Sequence, residues 1–314
     1  MSGISIIIPC YNAEAFIAEA LASAMEQTYA DIECVVIDDC STDGSAGIIR
    51  EAAAADQRIK PIFLEKNLGA SGARNVGLEA ASGEWITLLD ADDLYAPDRL
   101  ERLLSLAAIT DADIVVDNQQ VCAFPATSST QLAFGFIPAT PTAITPELFF
   151  AEAAKFGRWL SPGYMKPMLR TALVRALDLK FDLRFRTGED FLLYADAIVG
   201  RPRMAATTFP GYIYRRREGS LSRAGGQHLR DQAYLSEVIL EHHAEQLSNA
   251  SVTSLRARKR LMERLAAFHD LRVAFGDRNL AGAMKVAFTQ PQLLLAAAAM
   301  IRRRLAKPRT AVAN

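Results

Sequence analysis

Asp90, Asp92 and Asp93 place three carboxylates in four positions, at the end of the apolar run Trp85-Ile86-Thr87-Leu88-Leu89. Carboxylates this close repel one another, and each stays ionised only with a cation or strong donors beside it. A hard divalent ion, magnesium or manganese, suits an oxygen-only site, and magnesium commonly bridges carboxylate to phosphate. The alternate spacing of Asp90 and Asp92 points both the same way in an extended turn. The plainer alternative is capping, because aspartates favour the positive end of a helix and Pro97 starts one here. One cap accounts for one acid, Asp93, but not for three.

Two further groups could join such chemistry. In NLGASGARNVGL, residues 67–78, Gly69 and Gly72 loosen the start of a helix whose N-terminus suits an anion. Arg74 adds a full charge there and is expected to face a phosphate or one of the acids. Taken alone, it reads equally well as a surface arginine. Glu189 and Asp190 follow Gly188 at the start of another helix. They too could be capping residues, but a carboxylate within hydrogen-bond reach of a hydroxyl is also a competent general base.

The elements that must position these groups alternate regularly. Strands are expected at 4–9, 32–38, 59–65 and 84–89, with helices from about Glu14, Ser41, Ala70 and Pro97 between and after them, and residues 112–121 continue the pattern. Pro61 places the third strand at an edge. Continuous apolar strands separated by helices predict an α/β fold with a mostly parallel sheet covered on both faces. Ligands bind beyond the carboxyl ends of such strands. Tyr11-Asn12, Asp38-Asp39 and 90–93 gather there. From 122 to 188 prolines and aromatics interrupt the pattern, as expected of an insertion packing over the sheet's rim. A helix returns at 188–200, one or two strands end in the basic stretch YRRREGSLS, and helices follow 227.

Composition narrows the classes. The chain has 314 residues, half of them hydrophobic, with 35 basic and 36 acidic residues and a formal net charge of −1, so nucleic acid is not an expected partner. Cysteines 10, 34, 40 and 122 show no CxxC spacing, and Cys10 and Cys34 read as buried thiols. Histidines 228, 242, 243 and 269 form no zinc motif. The first strand leads into PCYNAEAF rather than a glycine fingerprint, against a nicotinamide dehydrogenase. A dehalogenase-type phosphatase would carry an acidic nucleophile at that point, and none is there. No basic-then-apolar leader is seen, so the cytoplasm is the expected location.

Together, SIIIPCYNAEAFIAEALASAMEQTYADIECVVIDDCSTDGS, NLGASGARNVGL, GEWITLLDADDLYAPDRL and GEDF resemble, in order and spacing, the nucleotide-sugar glycosyltransferases of family 2, of the bacterial exopolysaccharide type. The resemblance is strong over residues 3–120, extends through 159–220, and is absent in the tail. It implies a GT-A fold, a mostly parallel mixed sheet with helices on both faces. Residues 1–226 would form the transferase domain, with a nucleotide-sugar half (1–120) and an acceptor half (121–226), and 227–314 a helical extension.

The resemblance also implies roles. Pro9 and Tyr11 would line the nucleotide pocket with Asn12, Tyr11 against the base. Asp39 would accept the base's imide N–H, which favours uridine without excluding guanine, with Asp38 nearby. Arg74 would meet the diphosphate or the acidic turn. Asp92 would bind Mg2+ or Mn2+ directly, and Asp90 would act through ribose or water. Asp190 would be the base, oriented by Glu189. Arg215, Arg217, Ser220 and Ser222 would belong to a loop closing on the diphosphate, and Trp159 and Lys166 would meet the acceptor.

The function implied is inverting transfer of a hexose, glucose or galactose, from a UDP-sugar to a glycan or a polyprenyl-diphosphate-linked oligosaccharide. Its setting would be extracellular or capsular polysaccharide synthesis. A catalytically silent scaffold and a polyprenyl-phosphate sugar synthase are the alternatives. In the tail, 293–301 is apolar and Arg302, Arg303 and Arg304 follow it. That run is shorter than the ~20 residues a membrane span needs. It reads either as a packed helix or as a peripheral contact with the cytoplasmic face of the inner membrane.

Overall fold

The computed structural model describes residues 3–137, 141–155, 160–200, 202–217 and 225–276. The chain runs β1 (Ile4–Cys10), α1 (Ile17–Met25), β2 (Ile32–Asp38), α2 (Ser45–Ala55), β3 (Ile59–Phe63), α3 (Gly69–Ala80) and β4 (Trp85–Leu88) to the acidic turn. Beyond it come β5 (Leu94–Tyr95), α4 (Arg99–Thr110), β6 (Ile114–Val116), β7 (Gln119–Ala123), β8 (Thr142–Ala143) and α5 (Pro146–Ala153). A 3-10 turn (Pro162–Tyr164), β9 (Met168–Arg170), α6 (Thr171–Ala176) and α7 (Glu189–Val199) follow. The described residues end with β10 (Met204–Ala206), β11 (Tyr212–Arg216), α8 (Gly226–His242) and α9 (Asn249–Gly276).

The main sheet has the order β3-β2-β1-β4-β9-β6-β10-β8. Strands β1 to β4 are mutually parallel, so their carboxyl ends share one rim, as the sequence predicts. Strand β3 sits at the edge, where the missing N–H of Pro61 costs no ladder bond. Alternate side chains of the central strands enter two cores. Ile4, Ile6 and Ile8 pack with Ile17, Ile49 and Leu103 from α1, α2 and α4. Ile7, Val35 and Ile37 pack with Leu78 of α3, Leu192 of α7 and Leu235 and Leu255 of α8 and α9. A strand buried on both faces needs no polar alternation, which is why these read as nearly continuous apolar runs, broken only by the hydrogen-bonded Ser5 and Glu33 near their starts.

Several boundaries differ from the sequence expectation. Helix α1 opens at Ile17, after a turn in which the Ala13 carbonyl accepts the N–H groups of Phe16 and Ile17. Helix α2 opens at Ser45, because residues 41–43 are spent bracing the β2 loop: Ser41 N–H donates to Asp38 Oδ2, and Ser45 N–H to Asp43 Oδ1. Helix α4 opens at Arg99, preceded by Asp98, and Asp93 is not its cap. Residues 112–121 are not one strand but break at 117–118, where β6 stays in the main sheet and β7 joins β5 and β11 in a second one. The break is held by buried polar residues: Asp117 binds Arg99, and Asn118 exchanges hydrogen bonds with the backbone of Phe134. Nor does the 122–188 region only cover the rim. Its strand β9 enters the sheet antiparallel between β4 and β6.

Candidate active site

The acidic turn lies where the chain leaves β4 of the large sheet for β5 of the small one. Its three acids have separate environments. Asp93 is buried and points inward: its Oδ2 accepts from Tyr212 Oη at 2.7 Å and its Oδ1 from the Arg215 N–H at 2.8 Å, both on β11. Burial, then repulsion from Asp92 and Asp90, pushes its carboxyl well above the usual range. Asp93 is therefore a tie between the two sheets rather than a helix cap.

Asp90 lies at the centre of a buried charge cluster. Its Oδ1 is 2.9 Å from Arg74 Nη2 and its Oδ2 is 2.9 Å from Lys166 Nζ. Burial opposes ionisation, but Lys166 and Arg74 more than offset it and hold the carboxyl well below the ordinary carboxylate range. Arg74 also donates to Glu189 Oε1 at 2.6 Å and lies 3.4 Å from Asp190 Oδ1. Lys166 completes the ring, 2.9 Å from Asp190 Oδ2. Burial and the neighbouring Asp190 raise the Glu189 carboxyl. The buried Oδ1 of Asp190 has no hydrogen-bond partner among the described residues.

Local structure places each member. Arg74 lies in the second turn of α3, beyond the helix N-terminus, and faces the acids. Of the partners expected for it, the acids are the ones present. Glu189 and Asp190 open α7, whose free N–H groups favour negative charge. Gly188 precedes them with φ +83°, a conformation other residues rarely adopt. Lys166 follows the 3-10 turn, where Gly163 lets the chain approach α7: a Cβ on Gly163 would lie 2.8 Å from Cβ of Phe191.

The other predicted residues fall nearby. Pro9, Tyr11, Asn12, Asp38 and Asp39 lie at or just past the carboxyl ends of β1 and β2. Tyr11 is 52% exposed, as a ring free to stack would be. Asn12, at φ 48°, is occupied in the loop, its Oδ1 accepting from Thr42 N–H. Asp39 accepts from Leu68 N–H at 2.6 Å, just before α3, and its carboxyl is raised by burial. One oxygen of Asp38 is buried without a hydrogen-bond partner among the described residues. Helix α3 thus links the two groups, beginning beside Asp39 and presenting Arg74 to Asp90.

Arg215 is not in a loop. It lies in β11, its Nε donating to the Asp92 carbonyl at 2.6 Å and its Nη1 to Glu19 of α1. Arg217, 40% exposed, donates from Nε to Asp92 Oδ2 at 2.6 Å. Trp159, Ser220, Ser222 and the apolar tail at 293–301 lie outside the described residues. Tyr212, Glu19 and Tyr194 were not singled out by the sequence. Tyr194 had a usable signal, four residues after Asp190 on the same helix face. Its buried hydroxyl has no hydrogen-bond partner among the described residues, and burial and Asp190 raise its pKa well above the ordinary value.

A divalent ion can be tested against this donor set. Among the described residues no three His, Cys, Asp or Glu side chains converge to cage a metal. Both oxygens of Asp90 are ion-paired, whereas Asp92 is held through Oδ2 by a partly exposed arginine. The residues therefore fit an ion held by one carboxylate, Asp92, that draws its other ligands from a phosphorylated substrate and water, as magnesium commonly is. The further carboxylate, Asp90, stands beside it.

The comparisons agree with this architecture. The family model described as Glycosyl transferase family 2 matches residues 5–149. The succinoglycan biosynthesis protein ExoO of Rhizobium meliloti (strain 1021) is 33% identical over 314 residues, covering 97% of this chain and 87% of that protein. The crystal structure of S. aureus TarS 1–349 in complex with UDP-GlcNAc shares the fold, with a TM-score of 0.63, 20% identity and 92% of each chain covered. The mannosyltransferase PcManGT from Pyrobaculum calidifontis, solved with GDP-Man and Mn2+, shares it too, with a TM-score of 0.56 and 19% identity over 93% of this chain and 80% of that one. With its parallel sheet, its rim of acids and a relative aligned along nearly its whole length, the chain belongs to glycosyl transferase family 2.

Proposed function

We propose that the protein is an inverting hexosyltransferase. It would move glucose or galactose from a UDP-sugar to a glycan acceptor, lipid-linked, in exopolysaccharide synthesis. The carrying observation is Asp190, an acid at a helix N-terminus whose Oδ2 is ion-paired to Lys166 and whose buried Oδ1, 3.4 Å from Arg74, has no hydrogen bond among the described residues. A relative named for succinoglycan biosynthesis supports the setting, and a structural neighbour holding UDP-GlcNAc supports the uridine donor.

In this reading Tyr11 stacks on the base and Asp39 accepts its imide N–H, with Pro9, Asn12 and Asp38 shaping that end of the site. Arg217 and Ser220 meet the diphosphate, while Arg215 holds the turn beneath it. Asp92 would hold Mg2+ or Mn2+, which when bound would neutralise charge growing on the leaving diphosphate. Asp90 contacts the ribose or a water. Asp190 takes the proton of the acceptor hydroxyl as that oxygen bonds to the anomeric carbon and the bond from that carbon to the UDP oxygen breaks. The proton ends on Asp190 and the bonding electrons leave with UDP. Attack from the face opposite the leaving group inverts the centre, so an α-linked donor gives a β-glycoside. Glu189 orients the base, and Trp159 and Lys166 border the acceptor. Residues 1–226 carry these groups, and the chain beyond them stands as a separate extension.

The test is release of free nucleoside diphosphate, UDP or GDP, across uridine and guanosine sugars, with Asp190→Asn as the control. Replacing a general base costs about 10²–10⁴-fold in rate, and donor affinity by calorimetry should stay the same. An α-linked product from an α-linked donor would overturn the mechanism.

A further inference from the structure

Helices α8 and α9 lie beyond the residues that the family model matches, yet they close around the first turn of α7. Three contacts reach the segment bearing the acids. His228 of α8 bonds Thr187 at 2.9 Å. Gln232 and Leu235 fill the space beside Gly188, so a Cβ there would collide with both. Arg258 of α9 places its guanidinium 4.0 Å from the centroid of the Phe191 ring, the residue after Asp190, and Phe191 also stacks on Phe149 at 5.4 Å.

Arg258 is an unusual residue to keep in a core. It is fully buried, and no carboxylate pairs with it among the described residues. Its Nη1 donates to the Gln232 carbonyl at 2.5 Å and to Ser236 Oγ at 2.7 Å, its Nη2 to Gln232 Oε1, and its Nε to no acceptor among the described residues. Burial alone pushes its pKa down to about 9. A buried cation without a counterion opposes folding, and an apolar residue of similar volume would often be neutral or better. What the guanidinium supplies is direction. It fixes the Gln232 side chain, which bears on Gly188, and it lies on the ring beside the base.

We propose that Arg258 is a positioning residue for Asp190, holding the first turn of α7 through Gln232 and the Phe191 ring so that the base keeps the angle transfer requires. This rests on the reading of Asp190 as the base. A displacement of the base of order 1 Å can cost ~10²-fold in rate.

The experiment compares Arg258→Met, Arg258→Lys and Asp190→Asn, alone and with Arg258→Met added to Asp190→Asn. It uses the full chain and UDP release from UDP-glucose and UDP-galactose. Arg258→Met is expected to fold with unchanged or higher stability in urea, to lose about 10–100-fold in kcat, and to leave donor KM within about twofold. Arg258→Lys, which keeps a charge without the planar guanidinium, should not restore kcat. On the Asp190→Asn background, Arg258→Met should cost nothing further. If Arg258→Met lowers stability while the folded protein keeps its kcat, Arg258 is only structural and the proposal falls. Should Arg258→Met not fold, Gln232→Leu decides by the same readouts. An active Asp190→Asn would instead remove the base assignment itself, a result separate from an inactive Asp190→Asn beside a fully active Arg258→Met.

Discussion

The ammonium of Lys166 lies 2.9 Å from Asp90 Oδ2 and 2.9 Å from Asp190 Oδ2, so one buried cation joins the acidic turn to the proposed base. Breaking a buried ion pair by removing one partner costs about 3–5 kcal/mol, and Lys166→Met should lose stability on that scale in urea unfolding. The pH dependence has a definite sign. Asp90 has a depressed carboxyl pKa, so its contribution is present above the unfolded value of about 4 and is lost as pH falls through the folded value. Without Lys166 the Asp90 pKa rises, and the acid limb of kcat/KM should move to higher pH. An unmoved limb would separate Lys166 from the chemistry.

Asp92 and Asp93 are neighbours with opposite assignments. In the proposed reading Asp92 is the carboxylate left to a metal, so Mn2+ should raise UDP-sugar affinity in the wild type and Asp92→Asn should abolish that gain. Asp93 is buried against Tyr212 and Arg215, and its charge is disfavoured by burial and by the other two acids. Asp93→Asn should therefore keep the Mn2+ effect within about threefold, its main cost being one mispaired hydrogen bond of about 1–3 kcal/mol. Calorimetry with and without Mn2+ measures both variants. An equal loss in the two would merge their roles.

Beneath Lys166 lies a second buried pair. Arg99 reaches Asp117 through Nε at 2.8 Å and Nη2 at 3.0 Å, and its Nη2 also donates to the Lys166 carbonyl at 2.6 Å. Asp117→Leu leaves that cation unpaired and should cost about 3–5 kcal/mol, whereas Asp117→Leu with Arg99→Met should be much less damaging than the single change. Urea midpoints at neutral pH give the comparison, and additivity of the two changes would refute it.

His243, at the end of α8, bonds Asp196 of α7 at 2.7 Å, and that bond raises its pKa. A raised histidine adds stability that is fully present below about pH 6.5 and fades as pH rises through the folded value. The Tm advantage of the wild type over His243→Gln should accordingly be larger at pH 5.5 than at pH 8.5, by differential scanning fluorimetry. A constant difference would show that the bond does not depend on the imidazolium.

The parallel strands and their shared rim were legible in the sequence, because double burial leaves mostly apolar types at β1, β2 and β4. The acidic turn and the pair at 189–190 stood out in the sequence by their charge and spacing, and the structure joins Asp90, Glu189 and Asp190 through Arg74 and Lys166. Partnerships across the fold were not. Nothing local to Lys166 says that it will meet Asp90, seventy-six residues earlier, and Asp93 reads as a cap until Tyr212 and Arg215 arrive from β11. The split at 117–118 was marked by the polar run Asp117-Asn118-Gln119-Gln120, which the reading of 112–121 as one strand passed over.

Strand β9 lies between β4 and β6, so the backbone just after Lys166 is hydrogen-bonded to the strand that ends at the acidic turn. Grafting the second half of one relative onto the first half of another would therefore have to rebuild the middle of a sheet rather than a seam. Variation in acceptor choice is better sought by exchanging short loops than by exchanging halves.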